Sequence, residues 1–187
     1  MIQLHATQKL FKRLPLTTEG LLARTPHSEW LFQQPTLDIN PLNHWHGNLI
    51  TMQRRTCILM VHDATRFPLF LPGLTKPDLK KLNDRFTDAL MNTLLKCGAN
   101  EEQMTEAHYH LRPLEVDTQC NRSVQGTLNR LKDDLEYWLY YHEISVAEIT
   151  GYRASADMAG LIRGIKGKDY VVPKEAMLTL LDRLESD

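Results

Sequence analysis

The spacing of apolar positions changes once along this chain. Before about residue 71 they alternate or form short unbroken runs; after it they recur every third or fourth residue. Residues 1–6 alternate and predict a first strand. Thr7 can cap a short helix carrying Leu10, Phe11 and Leu14, which Pro15 ends. Residues 17–41 show little period. Pro26 and Pro35 bracket Trp30, Leu31 and Phe32, so the stretch reads as a long connection with an apolar anchor. Residues 44–52, 56–61 and 66–71 predict three strands. Turns at Arg54 and Arg55 and at residues 62–65 join them into an antiparallel meander, although neither turn holds an Asn-Gly pair. The run TCILMV suits a strand buried on both faces.

Helical spacing then takes over. Leu79, Leu82, Phe86, Leu90 and Leu94 form one amphipathic stripe, with Thr75 as N-cap, Pro77 and Asp78 in the first turn and Gly98 as C-cap. Asn100 with Gln103 predicts another helix start, and residues 108–116 a return to the sheet interrupted by Pro113. Val124, Leu128, Leu131, Leu135, Trp138 and Leu139 make a second long stripe that begins near Asn121 and Ser123. Ser145 with Glu148 is a capping box for a short helix expected to stop at Gly151. Residues 152–169 give no clear element beyond a helical turn over 156–162, and Pro173 opens a terminal helix through Leu184. Strands first and helices afterwards predict an α+β fold: a small, mainly antiparallel sheet covered by two long amphipathic helices, with a helical C-terminal segment. A single domain is expected over residues 1–187, with 143–187 as its less regular extension.

Composition narrows the class of function. At 187 residues, 42% hydrophobic and 24% charged, the chain can bury one good core. The net charge of −1 supplies no global field toward nucleic acid or anionic lipid. The basic clusters at Lys9, Lys12 and Arg13, at Arg54 and Arg55, and at Arg163, Lys166 and Lys168 read as solvated faces. Cys57, Cys97 and Cys120 show no C-x-x-C spacing, which fits free thiols in a reducing cytoplasm. No signal-peptide run opens the sequence, and no apolar stretch approaches the roughly 20 residues of a membrane span.

The segment NPLNHWHGNLI carries the first candidate chemistry. Residues two apart on a strand share a face, so His44 and His46 would project together with Asn48, while Trp45 and Leu49 face the core. His108 and His110 form a second such pair, and His62 with Asp63 ends the neighbouring strand. Zinc needs at least three protein ligands, and neither H-E-x-x-H nor C-x-x-C accompanies these histidines. Histidines lining a polar groove are the plainer reading. The second candidate is the helix start at Asn121, Arg122 and Ser123, where free N–H groups and the positive end of the dipole can hold an anion. Gly126 there permits close approach of a ligand or packing against the sheet, and Asn129 lies on the same side. Arg66 either pairs with Asp63 to fix a turn or shares a polar pocket with Asn121 and Arg122. Cys97 and Cys120 lack a neighbouring base, and no Gly-x-Ser-x-Gly elbow occurs. Tyr137, Trp138, Tyr140 and Tyr141 suit a core edge, a contact with a protein partner or a second copy, or base stacking.

The stretches TQKLFKRL, NPLNHWHGNLI, RRTCILMVHDATRFPLF, LMNTLLKCGA and NRSVQGTLN resemble an uncharacterised bacterial family, a domain of unknown function. The resemblance covers most of residues 1–140 and implies a bacterial, cytoplasmic origin, but it brings no activity and no catalytic residue. The resulting expectation is a cytoplasmic binding or interaction domain. Its polar groove would use His44, His46, Asn48, Arg66, Asn121, Arg122, Ser123 and Asn129 to take a nucleic acid, a protein partner or a small anion. The alternative is a small hydrolase, of the metal-dependent nuclease class, using the histidine pairs. No cofactor motif is present. Both readings need the histidine strand and the later helix start to converge.

Overall fold

The computed structural model describes residues 1–165 and 170–184; Lys166 and Lys168 lie outside them. The fold is α+β. Its main sheet has five strands: β1 (Ile2–Ala6), β2 (Trp45–Met52), β3 (Arg55–His62), β4 (Pro68–Leu71) and β5 (Leu114–Asp117). They lie in the order β4-β3-β2-β1-β5. The expected meander is present, because β2 pairs antiparallel with β3 and β3 with β4. The first strand instead lies between β2 and β5, parallel to both, which makes the sheet mixed. A two-stranded ribbon, β6 (Arg163–Gly164) with β7 (Tyr170–Val171), stands apart.

Eight helices surround the sheet among the described residues: α1 (Gln8–Phe11), α2 (Glu29–Gln33), α3 (Lys76–Lys80), α4 (Leu82–Lys96), α5 (Glu101–His110), α6 (Arg122–Tyr141), α7 (Gly151–Ala159) and α8 (Pro173–Leu184). The two long stripes lie on opposite faces. On one, Leu4, Trp45, Leu49, Ile58 and Met60 pack with Phe86, Leu90 and Leu94 of α4 and with Met177 and Leu181 of α8. On the other, Ile50, Leu59 and Val61 meet Val124, Leu128, Leu131 and Leu135 of α6 and Met158 of α7. Strand β3 contributes to both cores, as its unbroken apolar run requires. Helix α6 packs on β2 and β3. The β1 and β5 positions of that same face carry half-buried Gln3, His5, Glu115 and Asp117 instead of apolar side chains.

Four local expectations are corrected. Residues 108–110 are helical: the Asn100–Gln103 capping box starts a helix that runs through His110, and only residues from Leu114 rejoin the sheet after Pro113. The stripe begun at Thr75 is broken at Lys81 (φ −105°, ψ 30°) into α3 and α4. Gly151 starts α7 rather than ending a helix, and the Ser145–Glu148 box caps a single 3-10 turn. The strand expected from Arg66 starts at Pro68, because Arg66 takes a left-handed φ of 60° and turns the chain.

Candidate functional site

Across the polar part of the sheet, register places His5 beside His46 on one side and Asp117 on the other. These three side chains form a row, and the start of α6 closes over one end of it. His46 is almost fully buried. Its Nε2 accepts the backbone N–H of Asn121 at 2.6 Å, which makes that nitrogen an acceptor and leaves the proton on Nδ1. Nδ1–H donates to Asp63 Oδ1 at 2.6 Å. Both ring nitrogens are occupied, so His46 pins the cap of α6 to the sheet and has no lone pair left for a reaction.

His5 works the same way one strand over. Its Nδ1–H donates to Asp117 Oδ1 at 2.8 Å. Gln3 Nε2 donates to the other carboxylate oxygen at 3.0 Å, and the Gln119 N–H donates to Oδ1 at 2.9 Å. A His5 ring with its single proton on Nδ1 accepts at Nε2, where His44 Nδ1 stands 3.2 Å away with its ring parallel to within 7°. In that tautomer His44 Nδ1–H is the donor, and His44 Nε2 takes no hydrogen bond among the described residues.

His44 is exposed and precedes β2 rather than lying in it. Its left-handed φ of 64° swings the ring over to His5. The turn is held from several sides. Asn43 Oδ1 accepts the N–H groups of His44 and Gln3, and His44 O accepts the N–H of Asp63. The fully buried His62 donates from Nε2 toward the carbonyls of Pro41 and Asn43, each at 3.1 Å, and accepts Thr65 Oγ1–H at Nδ1. Burial pushes the His62 pKa down to about 4, against the opposing charge of Asp63. His62 is thus a neutral support for the loop.

Arg66 is buried, with 4% of its surface exposed. Asp63 does not form the expected salt bridge with it, because that carboxylate holds His46. Arg66 donates instead to the Asp63 carbonyl, and Nη2 donates to Ser123 Oγ at 3.2 Å. Its Nε is buried without a partner. Burial pulls the guanidinium below its ordinary pKa, and the charge of Asp63 acts the other way. Arg112 is held by more carbonyls, donating to those of Pro35, Tyr109 and Leu111, although its Nη2 too is buried without a partner among the described residues.

The structure therefore joins His46 to Asn121 and Arg66 to Ser123, sets the His44 ring against His5, and leaves Arg122 exposed in the first turn of α6. Asn48 serves the cap of α1, accepting Thr7 Oγ1–H at 2.9 Å. Asn129 is eight residues past Asn121, roughly 12 Å along the helix axis, and is exposed there. A side chain at Gly126 would meet open space, so this glycine neither packs on the sheet nor marks a close approach. His108 stacks on Trp30 at 4.5 Å, and His110 Nδ1–H donates to the Glu106 carbonyl, both on α5. The second histidine pair thus has no part in the sheet. Among the described residues no group of three or more His, Cys, Asp or Glu is arranged to hold a metal ion. Burial raises the thiol pKa of Cys57, Cys97 and Cys120, Cys97 to about 11, which disfavours the reactive thiolate. Tyr137, Tyr140 and Tyr141 are exposed on the outer side of α6.

His5 and Asp117 are the residues that sequence reasoning missed. Each sits at a polar position of an alternating strand, after Gln3 and Glu115, but only the parallel pairing through β1 joins them. Among the described residues no helix is long and apolar enough to cross a membrane. No curated protein and no solved structure matches the chain. One family model, described as a domain of unknown function (DUF6933), matches residues 3–176.

Proposed function

We propose, for a chain that belongs to the DUF6933 family of domains of unknown function, that it binds a small phosphate-bearing ligand where the His44 loop, Arg66 and the start of α6 meet. The observation that carries this reading is Arg66. A buried guanidinium without an ion pair among the described residues, and with its Nε unpartnered there, is costly unless an anion completes it. It lies against Ser123 in the first turn of a 20-residue helix, where the dipole also favours negative charge. Asp63 and Asp117 offset part of this positive potential. The remaining acceptor capacity of Asp63 suits a hydroxyl group, so a phosphate ester of a hydroxylated molecule fits better than a bare anion.

Calorimetric titration with inorganic phosphate, a nucleoside monophosphate and a short RNA tests this at constant ionic strength. The monophosphate is expected to bind tightest, and Arg122→Ala to weaken it about tenfold, the loss of one exposed charged contact of roughly 1.4 kcal/mol. Arg66→Lys keeps the charge but loses the fork geometry, and should weaken it further. RNA binding with a steep salt dependence, in the absence of monophosphate binding, would assign the groove to nucleic acid instead. No heat with any of the three would remove the reading.

A further inference from the structure

Of the imidazoles of His5, His44, His46 and His62, that of His44 alone has a ring nitrogen without a hydrogen bond among the described residues. We propose that His44 is the general base of a phosphate-monoester hydrolysis at this site, its Nε2 presented by the chain Asp117–His5–His44. The proposal rests on the phosphate-binding reading above.

Three observations carry it. First, the hydrogen bonds can run in one direction. With His5 neutral and its proton held on Nδ1 by Asp117, His5 Nε2 accepts and His44 Nδ1 donates. The lone pair left over is on His44 Nε2, on an exposed ring. When that nitrogen takes a proton, the Nδ1–H···Nε2 bond to His5 becomes charge-assisted, and the Asp117 carboxylate stabilises the charge through His5. Second, the chain is supported from behind. Gln3 and the Gln119 N–H hold both oxygens of Asp117, while Asn43 and His62 hold the loop that carries His44. Third, His44 adopts a left-handed backbone that glycine or asparagine takes more cheaply. The left-handed turn, held by Asn43 and His62, keeps the ring against a carboxylate-backed imidazole, the placement a positioned reactive group needs.

The step balances without a further reagent. An attacking water loses a proton to His44 Nε2 as its oxygen bonds to phosphorus. The phosphorus–oxygen bond to the alcohol breaks, and the departing alkoxide takes a proton from solvent. His44 returns its own proton to solvent. Ester and water become alcohol and inorganic phosphate. Arg66 and the exposed Arg122 would face the phosphoryl oxygens, where charge accumulates. His44 is the catalytic residue here; His5 and Asp117 are positioning residues. The titratable groups around His44 are His5, His46, His62, Asp63 and Asp117.

The test is release of inorganic phosphate from a nucleoside monophosphate and from p-nitrophenyl phosphate by the full chain, alongside calorimetric binding of inorganic phosphate. His44→Ala should lower kcat at least about 100-fold, the span typical of a general base, with phosphate affinity within about twofold. Added imidazole should restore part of the lost rate, which a merely structural role would not allow. Asp117→Asn and His5→Gln should lower kcat about tenfold or more at unchanged KM and displace the acidic limb of the kcat–pH profile. Phosphate binding without release by the wild-type chain overturns the base assignment and leaves the binding reading standing. Neither binding nor release overturns both. Release that His44→Ala does not slow overturns the role of His44.

Discussion

Left-handed backbone at residues other than glycine occurs at His44, Gln53, Arg54, Arg66 and Glu143 among the described residues. Each costs about 1 kcal/mol relative to glycine, so each needs a reason. At His44 and Arg66 the reason offered above is the site. At Gln53 it is a clamp: Nε2 donates to the Ile144 carbonyl and Oε1 accepts the Val146 N–H at 2.7 Å, tying the β2–β3 turn to the segment after α6. Arg54 is exposed and makes no side-chain hydrogen bond among the described residues. Two consecutive positive φ values make this a type I′ hairpin, whose usual residues are Asn-Gly. Arg54→Gly is therefore expected to stabilise the fold by about 0.5–1 kcal/mol, read as a higher urea midpoint at unchanged slope. The turn was legible without its usual residues because the apolar runs on either side fix its place. The reason for Gln53 was not, since its partners lie 91 and 93 residues further on.

Helices and strands were legible wherever period and boundary signals agreed, as in α6 and β3. The edges of the sheet show what period leaves out. Strand β4 is an outer strand with outward-facing N–H groups, a liability unless covered. Helix α7 covers it: Ser155 Oγ accepts the Phe70 N–H at 2.8 Å and donates to the Gly151 carbonyl at 2.7 Å. A side chain at Gly151 would stand 2.6 Å from the Phe70 carbonyl, so α7 lies too close to the strand for anything larger there. At the opposite edge, the N–H of Val116 on β5 donates to Gly20, in the stretch whose period was weakest. Ser155→Ala should leave the Phe70 N–H buried and unpaired, at a cost of about 1–3 kcal/mol. Urea unfolding measures the loss, and faster hydrogen exchange at the Phe70 amide locates it. Unchanged stability and exchange would mean that α7 does not protect that edge.

On the scale of the whole molecule, acid sensitivity follows from His62. Its folded pKa of about 4 lies below the ordinary value of 6.5, so between those values the unfolded chain binds the extra proton and stability falls as pH falls. The loss should reach about 2 kcal/mol between pH 7 and pH 5, taken as the difference between the wild-type chain and His62→Gln in urea unfolding. A slope identical in the two proteins would show that His62 is not the group responsible. Part of the candidate site could be read from residues alone, because capping residues and a histidine pair flanking a core tryptophan are local signals. What could not be read is the placement of β1, since nothing local tells a strand that both its neighbours will be parallel to it. That placement has a consequence for biosynthesis. His5 and Asp117 are 112 residues apart, so on the ribosome the first strand waits for most of the domain before its second neighbour emerges. The hydrogen bond between this imidazole and this carboxylate can form only late, and a nascent or truncated chain lacking β5 would expose one side of its own first strand.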